Sequence, residues 1–302
     1  MSTRVLREVR ERLDAAGLVG SFVVRDLVTG EQVALDPTRR YAAASLVKVP
    51  LALAVLERVA RGELDPARPV EVLPGTNGPA DRAGAPGLGR FRHPATVAVD
   101  DLLYLAVALS DSAAADALFA LVPPAEVARH LDDLGLGGIA VRHTLAPLVG
   151  TAVERLAPED AHLAHRLATA LGTPGGGHPV EQLDVGLASS AAAGALADLL
   201  QEVWRPTRVR PEVAARVRTL MGHNVLRQRL APDFTSDAER WSSKTGTILN
   251  QRHEMGVVEH EDGGCLAVVA LTESRVAAAA QPGAEAVMGD VARTLHDLLR
   301  AG

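Results

Sequence analysis

The chain has 302 residues, with 31 Lys+Arg against 37 Asp+Glu and a formal net charge of −6. That acidic balance disfavours a nucleic-acid partner, because phosphate binding needs a basic surface. Four Phe, two Trp and two Tyr are too few for a base-stacking platform, while 47% apolar residues suffice for a globular core.

From the N-terminus, Val5, Leu6, Val9 and Leu13 fall at helical spacing, so residues 3–16 are predicted to form an amphipathic helix. Ser21–Asp26 and Glu31–Leu35, with Thr29-Gly30 between them, read as a β-hairpin. The Ala/Leu/Val-rich stretch from Ala42 to Arg61 reads as a buried helix entered through Ala43-Ala44-Ser45, and Pro50 falls in its first turns, where a missing N–H is tolerated. Residues 73–94 are a breaker-rich loop. Helical patterns resume at Val99–Ala108, Ala113–Leu121 and Pro124–Leu134. Gly172–His178 reads as an exposed loop tip.

Ser189–Trp204 and Glu212–Met221 are again helical in pattern. Strands are expected at Arg240–Thr247, Glu254–Glu259 and Leu266–Thr272, with Asp262-Gly-Gly turning between the last two, and Pro282–Leu299 closes the chain as a helix. Strands at both ends of the chain most simply pair with one another. The expected architecture is α/β of the α+β type: a five-stranded antiparallel sheet flanked by terminal helices, with an inserted all-helical lobe. Residues 1–41 and 216–302 would form the sheet domain and 42–215 the helical domain, with a site in the cleft between them.

Several features narrow the setting. The single Cys265 sits in an apolar, strand-like run and reads as a buried structural thiol. No Cys/His cluster, His-Glu-x-x-His pattern or phosphate-cradling glycine loop occurs, so no metal or other cofactor is expected. The N-terminus is charged from its fourth residue and lacks the apolar stretch of a secretory signal, although a trimmed chain would read the same. No window reaches the roughly 18 uninterrupted apolar residues of a membrane span. The expectation is a cytoplasmic monomer acting on a small molecule, with neither a membrane nor a nucleic acid as partner.

Three short motifs carry chemistry. In Ser45-Leu46-Val47-Lys48, a serine and a lysine three apart share a helical face, so the amine can reach the hydroxyl. Apolar neighbours would desolvate that lysine and lower its pKa toward that of a working base. The simpler reading is a capping serine followed by a lysine that snorkels to solvent. Ser110-Asp111-Ser112 lies between two helical segments and offers either a proton relay or a helix cap. In Lys244-Thr245-Gly246-Thr247, the glycine would let a substrate approach a strand edge lined by a cation and two hydroxyls; a solvated strand end is the alternative.

Taken in order, 65 and 134 residues apart, these motifs resemble the class A β-lactamase family and its penicillin-recognising relatives over nearly the whole chain. The resemblance implies that fold, with Ser45 as acylated nucleophile and Lys48 as its base or proton shuttle. Ser110 would pass a proton to the leaving group, and Ser112 stands where the family usually carries Asn. Lys244 would set the local field, while Thr245 and Thr247 hold a substrate carboxylate. The N–H groups of Ser45 and Thr247 would form an oxyanion hole. Asp111 would hold its own turn.

One departure bears on activity. The family's Glu-x-x-Leu-Asn loop, which positions the deacylating water, has no counterpart between the second and third motifs. The nearest strings are Glu154-Arg-Leu-Ala, Asp160-Ala-His-Leu-Ala and Glu181-Gln-Leu-Asp; Asp160 and the adjacent Glu159 are the candidate acids, and both also suit the first turn of a helix. His143, His223 and His253 are weaker candidates for a part in the chemistry. The expected function is a serine hydrolase working through a Ser45 acyl-enzyme on a β-lactam, a D-alanyl peptide or a small ester or amide, with poor β-lactam turnover. The alternatives are an acyltransferase of small-molecule biosynthesis and a non-catalytic, penicillin-recognising ligand-binding protein.

Overall fold

The computed structural model describes residues 2–74, 87–146, 176–276 and 281–301, together with a few positions between 163 and 172. Its centre is a five-stranded, wholly antiparallel sheet in the order β2-β1-β9-β8-β7. The strands are β1 (Leu18–Asp26), β2 (Gln32–Leu35), β7 (Glu239–Ile248), β8 (Gln251–His260) and β9 (Cys265–Ser274). The hairpin and the three C-terminal strands stand where the sequence places them, each C-terminal strand one to three residues longer at its ends.

Side chains alternate across the sheet and divide the core in two. Phe22, Val24, Leu266, Val268 and Ala270 face the terminal helices α1 (Ser2–Ala15) and α9 (Pro282–Arg300). Val23, Ala267, Val269 and Leu271 face the helical side. Because both faces are covered, β9 is buried along its whole length. Cys265, at its start, is buried, and its thiol pKa is pushed up to about 11, chiefly by burial.

The helical side is built on α2 (Lys48–Ala60), buried over its first ten residues, with α3 (Val99–Ala108), α4 (Ser112–Leu121) and α5 (Pro124–Asp133) around it. Helices α6 (Ala193–Trp204) and α7 (Pro211–Gly222) lie between this group and the sheet, and a short α8 (Ala231–Phe234) leads into β7. No described helix is long and apolar enough to cross a membrane.

Two two-stranded pairs carry no clear signal in the sequence. β3 (Arg40–Ala42) pairs with β6 (Ser190–Ala192), and β4 (Pro69–Val72) with β5 (Ala95–Ala98). The first corrects the expectation of a helix from Ser189: Ala-rich residues 190–192 are extended because their backbone pairs with Arg40–Ala42, and Arg40 also donates to both the carbonyl and the hydroxyl of Ser190. Long-range pairing overrides local helix propensity here. His178 is a second correction. Gly176 and Gly177 are exposed, but His178 is buried, and Val180 N donates to its Nδ1.

Candidate active site

The site forms where β7, the edge of the sheet, meets the entrance of α2. A turn of 3-10 helix over Ala44–Val47 carries Ser45 and runs directly into α2. Ala44 precedes the serine with φ 47°, a left-handed conformation that a non-glycine residue adopts at a cost. Ser45 does not cap the helix: the residue at the cap of this turn is Ala43, with no side-chain hydrogen bond. Gly246 of β7 lies against the same turn. A Cβ there would sit 3.1 Å from the Ala43 carbonyl and from Leu46 Cγ, so strand and turn approach closely only because residue 246 has no side chain.

Lys48 does not snorkel. It is fully buried, and its Nζ donates to the Ser110 carbonyl at 2.5 Å and to Ser112 Oγ at 3.2 Å, with Ser110 Oγ at 3.4 Å. No hydrogen bond joins Lys48 to Ser45 among the described residues. Lys244, also fully buried, donates from Nζ to Ser110 Oγ at 2.8 Å and to the Thr245 carbonyl at 2.9 Å. The three motifs thus converge on Ser110 Oγ, although Ser110 lies 134 residues from Lys244. Ser110 itself has φ 61°, a second strained non-glycine position at the site.

Burial governs both amines. It brings the Lys48 pKa down to about 7, with Asp111 and then Asp116 opposing the shift. It drives Lys244 well below its ordinary range, assisted by repulsion from Lys48 and then Arg229, and opposed by Glu254. Two ammonium groups around one hydroxyl, with no carboxylate in ion-pair contact among the described residues, disfavour a doubly charged site.

Asp111 is the helix cap that one reading of its motif expects. Its Oδ1 accepts from Ala113 N at 2.9 Å and Ala114 N at 3.3 Å at the start of α4, and its Oδ2 accepts from Leu88 N at 2.6 Å. Gly87, at φ 127°, passes so close that a Cβ would lie 2.2 Å from Asp111 Oδ2. The cap therefore also ties the 87–90 segment to the turn that presents Ser110.

The side chains of the two threonines lie on the opposite face of β7 from Lys244. Thr245 pairs with Glu254, on the face turned toward the terminal helices, and its buried Oγ1 has no hydrogen-bond partner among the described residues. Thr247 is exposed, and its Oγ1 accepts from Arg229 Nη2 at 2.6 Å. Arg229, almost wholly buried, also donates to the Gly246 and His253 carbonyls and to Glu285 of α9. No motif marks Arg229 in the sequence. Glu159 and Asp160 lie outside the described residues.

The histidines are accounted for structurally. His253 is fully buried, and burial, then Arg229, pushes its pKa down to about 3. As a neutral ring it can donate from Nε2 to the Ala42 carbonyl and accept from Thr272 N at Nδ1. His143 accepts from Ser189 N, and His223 packs edge-on against Tyr104. Among the described residues, no group of three or more His, Cys, Asp or Glu is arranged to hold a metal ion.

Comparison with known proteins then decides the family. The model of the β-lactamase enzyme family matches residues 4–299. The chain belongs to the β-lactamase enzyme family. A β-lactamase regulatory protein, BlaB, of Streptomyces cacaoi is 53% identical over 310 residues, covering 99% of this chain and 98% of that protein. A solved β-lactamase from Sphaerobacter thermophilus superposes with a TM-score of 0.74 at 21% identity, covering 99% of this chain and 98% of that one. The structure of PBP-A superposes with a TM-score of 0.76 at 15% identity, covering 99% and 97%. The expected fold is thereby shown: a five-stranded antiparallel sheet with terminal helices and a helical region, the β-lactamase/transpeptidase fold.

Proposed function

We propose that this β-lactamase-family protein takes an acyl group onto Ser45 from a β-lactam, a D-alanyl peptide or a small ester or amide, and releases it slowly. The observation that carries this reading is the convergence of Lys48 and Lys244 on Ser110 Oγ, beside the turn that bears Ser45. With a pKa near 7, Lys48 is partly neutral at neutral pH and can accept a proton. In this reading Ser45 Oγ attacks the carbonyl carbon while its proton passes to Lys48. The carbonyl oxygen becomes an oxyanion facing the N–H groups of Ser45 and Thr247, where one donor is worth about 2.7–4 kcal/mol. The C–N or C–O bond then breaks, the leaving atom takes the Ser110 proton, and Lys48 replaces it. Lys244 fixes the orientation of Ser110 Oγ.

Slow release follows from the missing Glu-x-x-Leu-Asn loop. A positioned general base contributes about 10²–10⁴-fold, so without one a penicilloyl group should outlast the acylation step by minutes to hours. A second reading, favoured by the 53%-identical relative being a β-lactamase regulatory protein, keeps the acylation and drops the turnover: the acylated chain is then a signal and not an intermediate. Intact mass followed over time after mixing with penicillin separates the outcomes. A persistent adduct at one equivalent supports slow release or sensing. Rapid return to the unmodified mass with product accumulation would make the protein an ordinary β-lactamase. No adduct at any time would sink both readings.

A further inference from the structure

Lys48 presents an imbalance. Its three hydrogen-bond partners are neutral oxygens from Ser110 and Ser112, and the other cation in reach, Lys244, repels it. Two carboxylates act on it through space: Asp111, with the larger effect, and Asp116. Asp111 is committed, since both its oxygens accept backbone N–H groups that hold the turn. Asp116 is only half committed. Its Oδ1 accepts from Leu145 N at 2.5 Å, and Ala146 N also donates to the carboxylate, whereas Oδ2 is buried without a hydrogen-bond partner among the described residues. Asp116 lies four residues after Ser112 on α4, on the helical face that Ser112 turns toward Lys48.

We propose that Asp116 is a positioning residue of this site: its uncommitted Oδ2 supplies the negative charge that holds the Lys48 amine toward Ser112 and sets how readily it keeps a proton. The consequence for acylation rests on the proposed Ser45 chemistry; the effect on Lys48 does not. Burial raises the Asp116 pKa, while Leu145, Ala146, Lys48 and His143 oppose that rise, so carboxylate and amine respond to each other. Glu254 and Arg229 act on Lys244 from the far side of the pair. The other charges on or beside α2, Glu57, Arg58, Arg61 and Arg210, gather near its C-terminal end, about 13 Å or more along the axis from Lys48.

The sequence makes the test clean. Lys48 and Lys244 are the only two lysines in the chain, every other Lys/Arg position being arginine. Heteronuclear NMR of isotopically labelled lysine therefore gives two side-chain signals, and Lys48→Arg assigns them. In Asp116→Asn, which keeps one oxygen for Leu145 and Ala146, the Lys48 midpoint should fall by about one pH unit, the low end of what loss of a nearby opposite charge does to a pKa, because a negative charge that opposes the effect of burial is gone. The acid limb of Ser45 acylation by penicillin should move down with it, and Asp116→Glu should restore most of both. In the wild-type protein the Asp116 carboxyl signal should respond to the Lys48 titration, which decides the matter even where Asp116→Asn folds poorly. A Lys48 midpoint unmoved or raised in Asp116→Asn, or an Asp116 signal blind to Lys48, would overturn the proposal. A wild-type protein that never acylates would overturn the proposed function instead and leave the lysine result to stand on its own.

Discussion

Two buried charged clusters sit back to back across β7 and β8, and they are built differently. On the face toward the terminal helices, Glu254 accepts from Trp241 Nε1, Ser243 Oγ and Leu230 N, so its buried charge is spread over three donors. On the face toward α2, Lys48 and Lys244 crowd one serine hydroxyl, and no described carboxylate makes ion-pair contact with either. Saturated donors lock a buried charge in place and stabilise a fold. An unsaturated pair destabilises the fold but leaves protons free to move. The first cluster reads as structural and the second as the place where the proposed acylation would happen.

The largest effect that could break this division is on function. Lys48→Ala should lower Ser45 acylation by about 10²–10⁴-fold while the protein stays folded. Full labelling of the variant by a fluorescent penicillin would move the base elsewhere. Glu254→Ala should do the reverse. It strands three buried donors at about 1–3 kcal/mol each, so a loss of at least about 3 kcal/mol is expected, lowering Tm by about 6 °C or more. Calorimetry checks this, and a Tm within a degree or two of wild type would mean that Glu254 is not the structural anchor described here.

The pH response sharpens the same contrast. Folding depresses the Lys48 pKa from its ordinary 10.5 to about 7. Between those values the unfolded chain binds a proton that the folded chain does not, so this group's contribution favours folding increasingly as pH rises. The cost of burying Lys48 is greatest below pH 7 and is relieved between pH 7 and 10.5. Denaturant midpoints at pH 6.5 and 8.5 should show that rise in the wild-type protein and lose part of it in Lys48→Met. An equal rise in both would assign it to other groups. The smallest effect belongs to the surface. Arg240→Ala removes a pair with Glu259 at 2.9 Å whose arginine side chain is 76% exposed, and should change stability by no more than about 0.5 kcal/mol. A larger loss would show that the rim of this sheet edge carries weight the exposed geometry does not suggest.

Much of this was legible in the residues. β-rich segments and the glycine turns between them located the five sheet strands. The three motifs identified the side chains that meet at Ser110. What escaped is long-range in origin. Ser190–Ala192 is a strand because its backbone pairs with the distant Arg40–Ala42. Arg229 enters the site only because the chain before α8 passes behind Gly246. Asp116 could have been suspected from its four-residue spacing after Ser112, but nothing local says that its second oxygen stays unpaired. The Ser45 turn gave a mixed signal: Ser-x-x-Lys spacing suggested direct contact, whereas the lysine is instead bound by Ser110 and Ser112.

The central claim is that the unsaturated cluster exists to acylate Ser45. Its most direct measurement is peptide mapping by mass spectrometry after labelling with a penicillin, in wild type and in Ser45→Ala. A single adduct on the peptide containing Ser45, absent from Ser45→Ala while the variant keeps its Tm, is the predicted result. An adduct elsewhere in the chain, or undiminished labelling of Ser45→Ala, would contradict it.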